Sequence, residues 1–220
     1  VGTFALKAIT TGSSNVALGY GALQDLADGG SNIGIGYRAG YESTSASNNV
    51  YVGLDSGRET TTGGKNIGIG SYALVNVTDT NNMVAIGYNA GSSVNHAGAE
   101  GGTFLGYEAG KAVTSGGHNT ALGYQALLTN STSSFNTAIG SQALTVATGA
   151  GGTAVGYRAL KAITSGASNT AVGYEAGKTI TTGQKNIAIG YEAMHDTDAG
   201  STSSDSDNNI FIGYTAGGGA

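Results

Sequence analysis

Residues 186–193 read Asn-Ile-Ala-Ile-Gly-Tyr-Glu-Ala, and residues 169–176, seventeen positions earlier, read Asn-Thr-Ala-Val-Gly-Tyr-Glu-Ala. The phrase aliphatic, small, aliphatic, Gly, Tyr, any residue, Ala, then Leu or Gly recurs along the whole chain. Its central glycines are Gly2, Gly19, Gly36, Gly53, Gly70, Gly87, Gly106, Gly123, Gly140, Gly156, Gly173, Gly190 and Gly213, spaced by 17, 17, 17, 17, 17, 19, 17, 17, 16, 17, 17 and 23. The chain is a tandem repeat of period 17 with three local departures. Unstructured glycine-rich sequence would not hold such a register.

Columns read across the repeats turn the period into geometry. The residue before each central glycine is always aliphatic, from Val1 and Leu18 to Ile189 and Ile212. Two positions earlier stand Val16, Ile33, Val50, Ile67 and Val84, then Thr103, Thr120, Thr137, Thr153 and Thr170, then Ile187 and Ile210. A separation of two is the strand period, so both columns share a face, and their aliphatic and β-branched character assigns that face to the interior. The mainly small residue between them, exemplified by Ala17, Gly34 and Ala121 with Tyr51, Phe104 and Phe211 as exceptions, then faces solvent or a closely approaching chain.

Seventeen residues accommodate two short strands and two turns, but not the long helix of a parallel βαβ unit. The expected fold is all-β: a parallel β-solenoid or β-roll of about thirteen 17-residue rungs, forming one continuous domain over residues 1–220. At roughly 4.8 Å per rung this makes a rod about 60 Å long. The absence of proline agrees, because every internal rung needs its backbone donors. A second, more tolerant strand is read around Ile9, Val113, Ile163 and Ile180, a phase taken elsewhere by Leu26, Ser43, Thr60 or Asn130. Loops are expected to extrude near 91–101 and 195–208.

Composition narrows the functional classes. Of 220 residues 40 are glycine, while cysteine, proline and tryptophan are absent. Glycine does not recur every third residue, which removes collagen, and the lack of cysteine removes disulfides and thiol catalysis. Nine basic against fourteen acidic residues leave a net charge of −5, with no nucleic-acid footprint. No apolar stretch approaches a membrane span, so no membrane insertion is expected. The start, Val-Gly-Thr-Phe-Ala-Leu, has no initiating methionine and no signal-like core, which reads as a processed chain or a fragment.

Two further columns are candidate structural or contact ladders. Asn15, Asn32, Asn49, Asn66, Asn119, Asn136, Asn169, Asn186 and Asn209 are placed outside the core, where side-chain amides would bond from rung to rung. Tyr20, Tyr37, Tyr88, Tyr107, Tyr124, Tyr157, Tyr174, Tyr191 and Tyr214 form an aromatic stripe, read as packing within the roll or between chains. A column of alanines, from Ala22 to Ala216, marks a place where the chain has little room.

Recognisable chemistry is sparse. His96, His118 and His195 fall at different phases without metal-ligand spacing, and no phosphate-binding motif occurs. Glu175 and Glu192 stack, which alone does not make glycosidase chemistry. The reading is therefore of a non-enzyme with no cofactor and no metal. The longest departure carries Asp196, Asp198, Asp205 and Asp207 and reads as a solvated loop. Asn76-Val77-Thr78 and Asn130-Ser131-Thr132 satisfy the short glycosylation rule.

The phrases Asn136-Thr137-Ala138-Ile139-Gly140-Ser141-Gln142-Ala143 and Asn186-Ile187-Ala188-Ile189-Gly190-Tyr191-Glu192-Ala193 carry a resemblance. They resemble the head repeats of trimeric autotransporter adhesins and related repeats of phage tail fibres, over nearly all thirteen rungs. The resemblance implies a left-handed roll, lateral association of three chains, and attachment to host surfaces or neighbouring cells. The leading expectation is an extracellular structural and adhesive fibre module, on a microbial surface fibre or a phage tail. Its partners would be copies of itself and a host-surface glycan or protein. The alternative is a subunit polymerising head to tail into a secreted filament. An ice-binding solenoid is the third class, suggested by the threonine run, but threonines sharing a column with valine and isoleucine are assigned to the core.

Overall fold

Each β-branched or leucine-containing triplet before a central glycine folds as one three-residue strand. The computed structural model describes residues 2–195 and 207–218. Its strands are β1 (Val16–Leu18), β2 (Ile33–Ile35), β3 (Val50–Val52), β4 (Ile67–Ile69), β5 (Val84–Ile86) and β6 (Thr103–Leu105). They continue as β7 (Thr120–Leu122), β8 (Thr137–Ile139), β9 (Thr153–Val155), β10 (Thr170–Val172), β11 (Ile187–Ile189) and β12 (Ile210–Ile212). All twelve form one parallel sheet in chain order, the ladder of a β-solenoid. The first phrase adds a partial rung: a Cβ on Gly2 would lie 2.5 Å from the carbonyl oxygen of Gly19, but Val1 lies outside the described residues.

Strand register is unaffected by the departures from 17. Val84 pairs Thr103, Thr137 pairs Thr153 and Ile187 pairs Ile210, across separations of 19, 16 and 23. Between β5 and β6 the two extra residues are absorbed by a 3-10 turn, Ala97–Ala99, with His96 Nδ1 accepting from the Gly98 amide at 3.0 Å. Around it Gly91, Ser92, Val94 and Ala99 are buried, whereas Asn95, His96, Gly98 and Gly101 are exposed. Most of the expected 195–208 loop, residues 196–206, lies outside the described residues.

Two expectations are corrected. The second wall is not a strand but a stack of turns, joined between coils by bonds such as Thr114 N to Ser131 O at 2.8 Å and Thr164 N to Thr181 O at 2.7 Å. The reason is local: in the rung after β7, Gly123, Gln125 and Leu127 all take positive φ, at 135°, 53° and 54°, which curls the backbone instead of extending it. Glycine is required at the corner after each strand, because a Cβ on Gly19 would sit 2.4 Å from the carbonyl oxygen of Gly36.

The second correction concerns the faces of the sheet. The central residue of each strand points inward: Tyr51, Ala85, Phe104, Ala121, Ala138, Ala154 and Ala171 are fully buried. Both flanking aliphatic columns point outward, leaving Ile86, Leu122, Val172 and Ile189 exposed. The coil takes its branched side chains from later in the rung, two at a time at Leu23 with Leu26, Leu74 with Val77 and Leu160 with Ile163, all of them buried. Its interior is filled by the strand centre, the alanine column and a leucine column including Leu23, Leu74, Leu127, Leu144 and Leu160. Period-2 alternation fixes that the two columns share a face, not which face is inside.

Candidate functional site

The outward face of the sheet runs without interruption across all twelve strands. Twelve rungs at roughly 4.8 Å, each about 10 Å wide, make an apolar ribbon on the order of 500 Å², comparable to the largest patches that monomers leave open. Val16, Leu18, Ile67, Ile69, Ile86, Leu122, Val172 and Ile189 stand on it, all at least 36% exposed. The threonine run lies on the same face: Thr103, Thr120, Thr137, Thr153 and Thr170 are half-buried and point outward, contrary to their assignment to the core.

The tyrosines extend this face along the edge where each strand ends. All nine are exposed, and their rings stack from rung to rung. Tyr20 and Tyr37 stack at 5.3 Å; Tyr88, Tyr107 and Tyr124 at 5.4 and 5.3 Å; Tyr157, Tyr174, Tyr191 and Tyr214 at 5.2, 5.0 and 5.2 Å. Leu54 with Ser71, and Ser141, divide the column into these three stacks. Rung spacing and a common corner conformation impose the stacking; the phenol edges remain open.

The asparagine column is inside the coil rather than outside the core. Asn49, Asn66 and Asn119 are fully buried. Asn119 Nδ2 donates to the carbonyls of Gly116 (3.0 Å) and Ser133 (2.9 Å), while its Oδ1 accepts from the Asn136 amide at 2.9 Å and from Asn136 Nδ2 at 3.2 Å. The pattern repeats at Asn32 over Asn15 and at Asn186 over Asn169. Each amide satisfies turn carbonyls and the next rung's backbone in a place water does not reach. These residues hold the turns in register and offer nothing to an outside ligand.

Beside the tyrosines runs a polar ladder. Arg38 donates to both carboxylate oxygens of Asp55, at 2.8 and 2.7 Å, which raises the guanidinium pKa, and it lies 5.0 Å from the Tyr37 ring centre. Glu108 accepts from Lys111 at 2.7 Å and Gln125 at 2.9 Å, and these bonds hold its carboxyl below the usual range. At Glu175, burial disfavours ionisation, but Lys178 at 2.8 Å and Arg158 at 3.4 Å outweigh it and hold the carboxyl low.

Stacking also creates a cluster that linear spacing hides. Ligand atoms of Glu175, Glu192 and His195 lie within 4.8 Å of one another. Adding the 17-residue period to Glu175 and Lys178 lands on Glu192 and His195, so period arithmetic could have found it. Lys178 and Arg158 already neutralise Glu175, and a cation entering the cluster would meet both. Of the two glycosylation matches, Asn130 is fully buried, which closes that position to a glycan; Asn76 is half-buried. No helix among the described residues is long and apolar enough to cross a membrane.

Comparison with models of known families, with curated proteins and with solved structures finds no match to this chain.

Proposed function

We propose that the chain is a non-enzymatic, extracellular structural and adhesive fibre module whose copies associate laterally through the outward face of the sheet. The observation that carries this reading is the outward face of the sheet, where the column from Leu18 to Ile212 is aliphatic in every strand and points away from a core already filled without it, beside a second column that is aliphatic except at five threonines. Burying such a ribbon releases about 25 cal/mol per Å² of apolar surface, and the adjoining tyrosines enlarge the area towards the roughly 800 Å² per partner of stable interfaces. Three copies, as in the adhesin heads the sequence resembles, would enclose their ribbons around one axis. The turn-built walls and corners would then present a long repetitive surface.

Sedimentation and cryo-electron microscopy without imposed symmetry test the proposal. The expected particle is a discrete rod with three times the 21.6 kDa mass of one chain. The double variant Leu105→Lys with Leu122→Lys should reduce it to single chains, because two ammonium groups would be buried against apolar surface. Monomeric rods of the unaltered chain would overturn lateral association, and end-to-end filaments would favour the polymer alternative.

A second reading draws on the same face. Five successive threonines in outward positions form the regular hydroxyl array an ice-binding surface needs, and the core assignment that argued against it no longer holds. Thermal hysteresis lost on Thr137→Tyr would establish it; absence of hysteresis would remove it.

A further inference from the structure

A different corner of the coil, where the chain turns into each strand, carries a column whose members vary from rung to rung. Ser31, Asn48, Lys65 and Asn82 occupy it in successive rungs, every one with positive φ between 59° and 63°. Small and polar residues suit such a position; a phenylalanine does not. Yet Phe135 stands there with φ 63°, 67% exposed, its ring stacked on His118 at 5.3 Å and 11°. The next rung places Gly151 in the column, where an added Cβ would meet only Ser168. The free face of the phenyl ring therefore looks into a gap where one rung's side chain is missing. Nothing in the packing of the chain calls for this ring.

The same corner leads into a groove of about 370 Å³. Asn48, Lys65, Asn82 and Glu100 line it, and Glu100 is in the rung directly before His118, whose amide donates to the Glu100 carbonyl at 2.9 Å. Glu100 is held in place by Asn81, which donates to its carboxylate at 3.0 Å and accepts from the Gly64 amide at 2.8 Å. The side chains of Asn48, Lys65 and Asn82 form no hydrogen bond or ion pair within the chain among the described residues, and all three are exposed. A row of free amides and one ammonium runs along the fibre axis, and beyond Gly101, which adds no side chain to the column, the His118 and Phe135 rings form an aromatic platform on the same line. From Asn48 to Phe135 it spans five rungs, about 24 Å.

We propose that this corner binds an extended oligosaccharide. The chemistry fits: sugar hydroxyls hydrogen-bond to the open planar amides and charged groups, of which Glu100 is held in place, and the apolar C–H face of a pyranose ring packs on an open aromatic ring. A net charge of −5 and a single lysine in the groove disfavour a polyanion such as nucleic acid. A protein partner would need an apolar centre to bury, and the groove has none outside the one ring stack. This inference rests on the reading of the chain as an attachment module and assigns its glycan contact to one place, apart from the aliphatic ribbon.

The test is a printed array of neutral and sialylated oligosaccharides probed with the full chain, followed by titration calorimetry with the strongest binder. Phe135→Ser installs the residue type found at Ser14, Ser31 and Ser168 in the same column, so the coil is retained. Lys65→Ser removes the ammonium, and Lys185→Ser, in the same column but outside the groove, is the control. We expect affinity to fall at least tenfold for Phe135→Ser and for Lys65→Ser and to be unchanged for Lys185→Ser. Three results overturn the site: no oligosaccharide bound, binding unaltered by both groove substitutions, or a change of sedimentation in Phe135→Ser, which would place the ring in the lateral interface. Binding that survives both substitutions leaves the attachment reading standing. Loss of groove binding in a chain that never assembles laterally would sink the fibre reading and keep the site.

Discussion

The ring of Tyr51 fills the space a side chain on Gly57 would need: a Cβ there would meet Cε1 of the ring at 2.3 Å. Gly40, one rung earlier in the same column, meets the other side of the ring in the same way, at 3.0 Å. Phe104 is likewise flanked by Gly91 and Gly110, at 2.8 and 2.3 Å, and where the strand centre is Ala121 the column holds Leu127. In these rungs large and small residues trade places between the two columns. Tyr51→Ala should cost about 3–5 kcal/mol, and Gly57→Leu at least about 2 kcal/mol through overpacking. The double variant rebuilds the Ala121/Leu127 type of rung, so chemical denaturation should show it less destabilised than the sum of the two by about 1–3 kcal/mol.

Asn119 sits in mid-ladder with four hydrogen bonds and no water access. Asn119→Ala leaves the Ser133 carbonyl and the Asn136 amide unpaired, at about 1–3 kcal/mol each. Asn15, in the first complete rung and half-buried, bonds the next rung at the Gly29 carbonyl (2.9 Å) and the Asn32 amide (2.9 Å), with solvent nearby. Asn15→Ala should therefore cost less than Asn119→Ala in denaturation midpoints, and equal losses would contradict the burial argument.

Acid should weaken the fold through the polar ladder. Glu108 and Glu175 are both held below the ordinary glutamate value of 4.5 by their cationic and amide partners. A carboxyl depressed in the folded state contributes stability that is present above its unfolded pKa and is lost as pH falls through the folded value. Melting temperature should hold down to about pH 5 and fall below about pH 4.5. Glu175→Gln should lower it at neutral pH and flatten the acid slope; an unchanged slope in both Glu175→Gln and Glu108→Gln would refute the assignment.

The period, the parallel stacking and the rung register were legible because backbone geometry repeats with the sequence: a glycine every seventeen residues can only be a corner that recurs. What the sequence concealed was which side of a three-residue strand is inside. Val-Ala-Ile alternates as cleanly with alanine inward as outward, and what decides is that the turns already fill the interior with leucines such as Leu23 and Leu26. The asparagines were misplaced for the same reason, since a polar side chain that saturates turn carbonyls belongs inside the coil. Phe135 and His118 drew no attention as a pair, being 17 apart, although the period makes them neighbours.

The inverted faces give the sharpest contrast between adjacent residues. Ala121 is fully buried and Leu122 is 44% exposed. If size alone decided, Leu122→Ser would be the more damaging change, because it removes a large apolar group. Within one coil the opposite holds. Ala121→Leu forces three carbons into a close-packed interior and should cost about 1–3 kcal/mol or more at any protein concentration. Leu122→Ser should change the unfolding midpoint of dilute single chains by about 0.5 kcal/mol, as exposed substitutions do. At concentrations where chains associate, the ranking should tighten or reverse, because the serine then leaves apolar surface of the neighbouring copies uncovered and the link between association and stability is lost. Denaturation curves of both variants over a hundredfold range of concentration separate the cases. A large loss for Leu122→Ser in dilute solution, with Ala121→Leu tolerated, would mean that the leucine and not the alanine lies in the core.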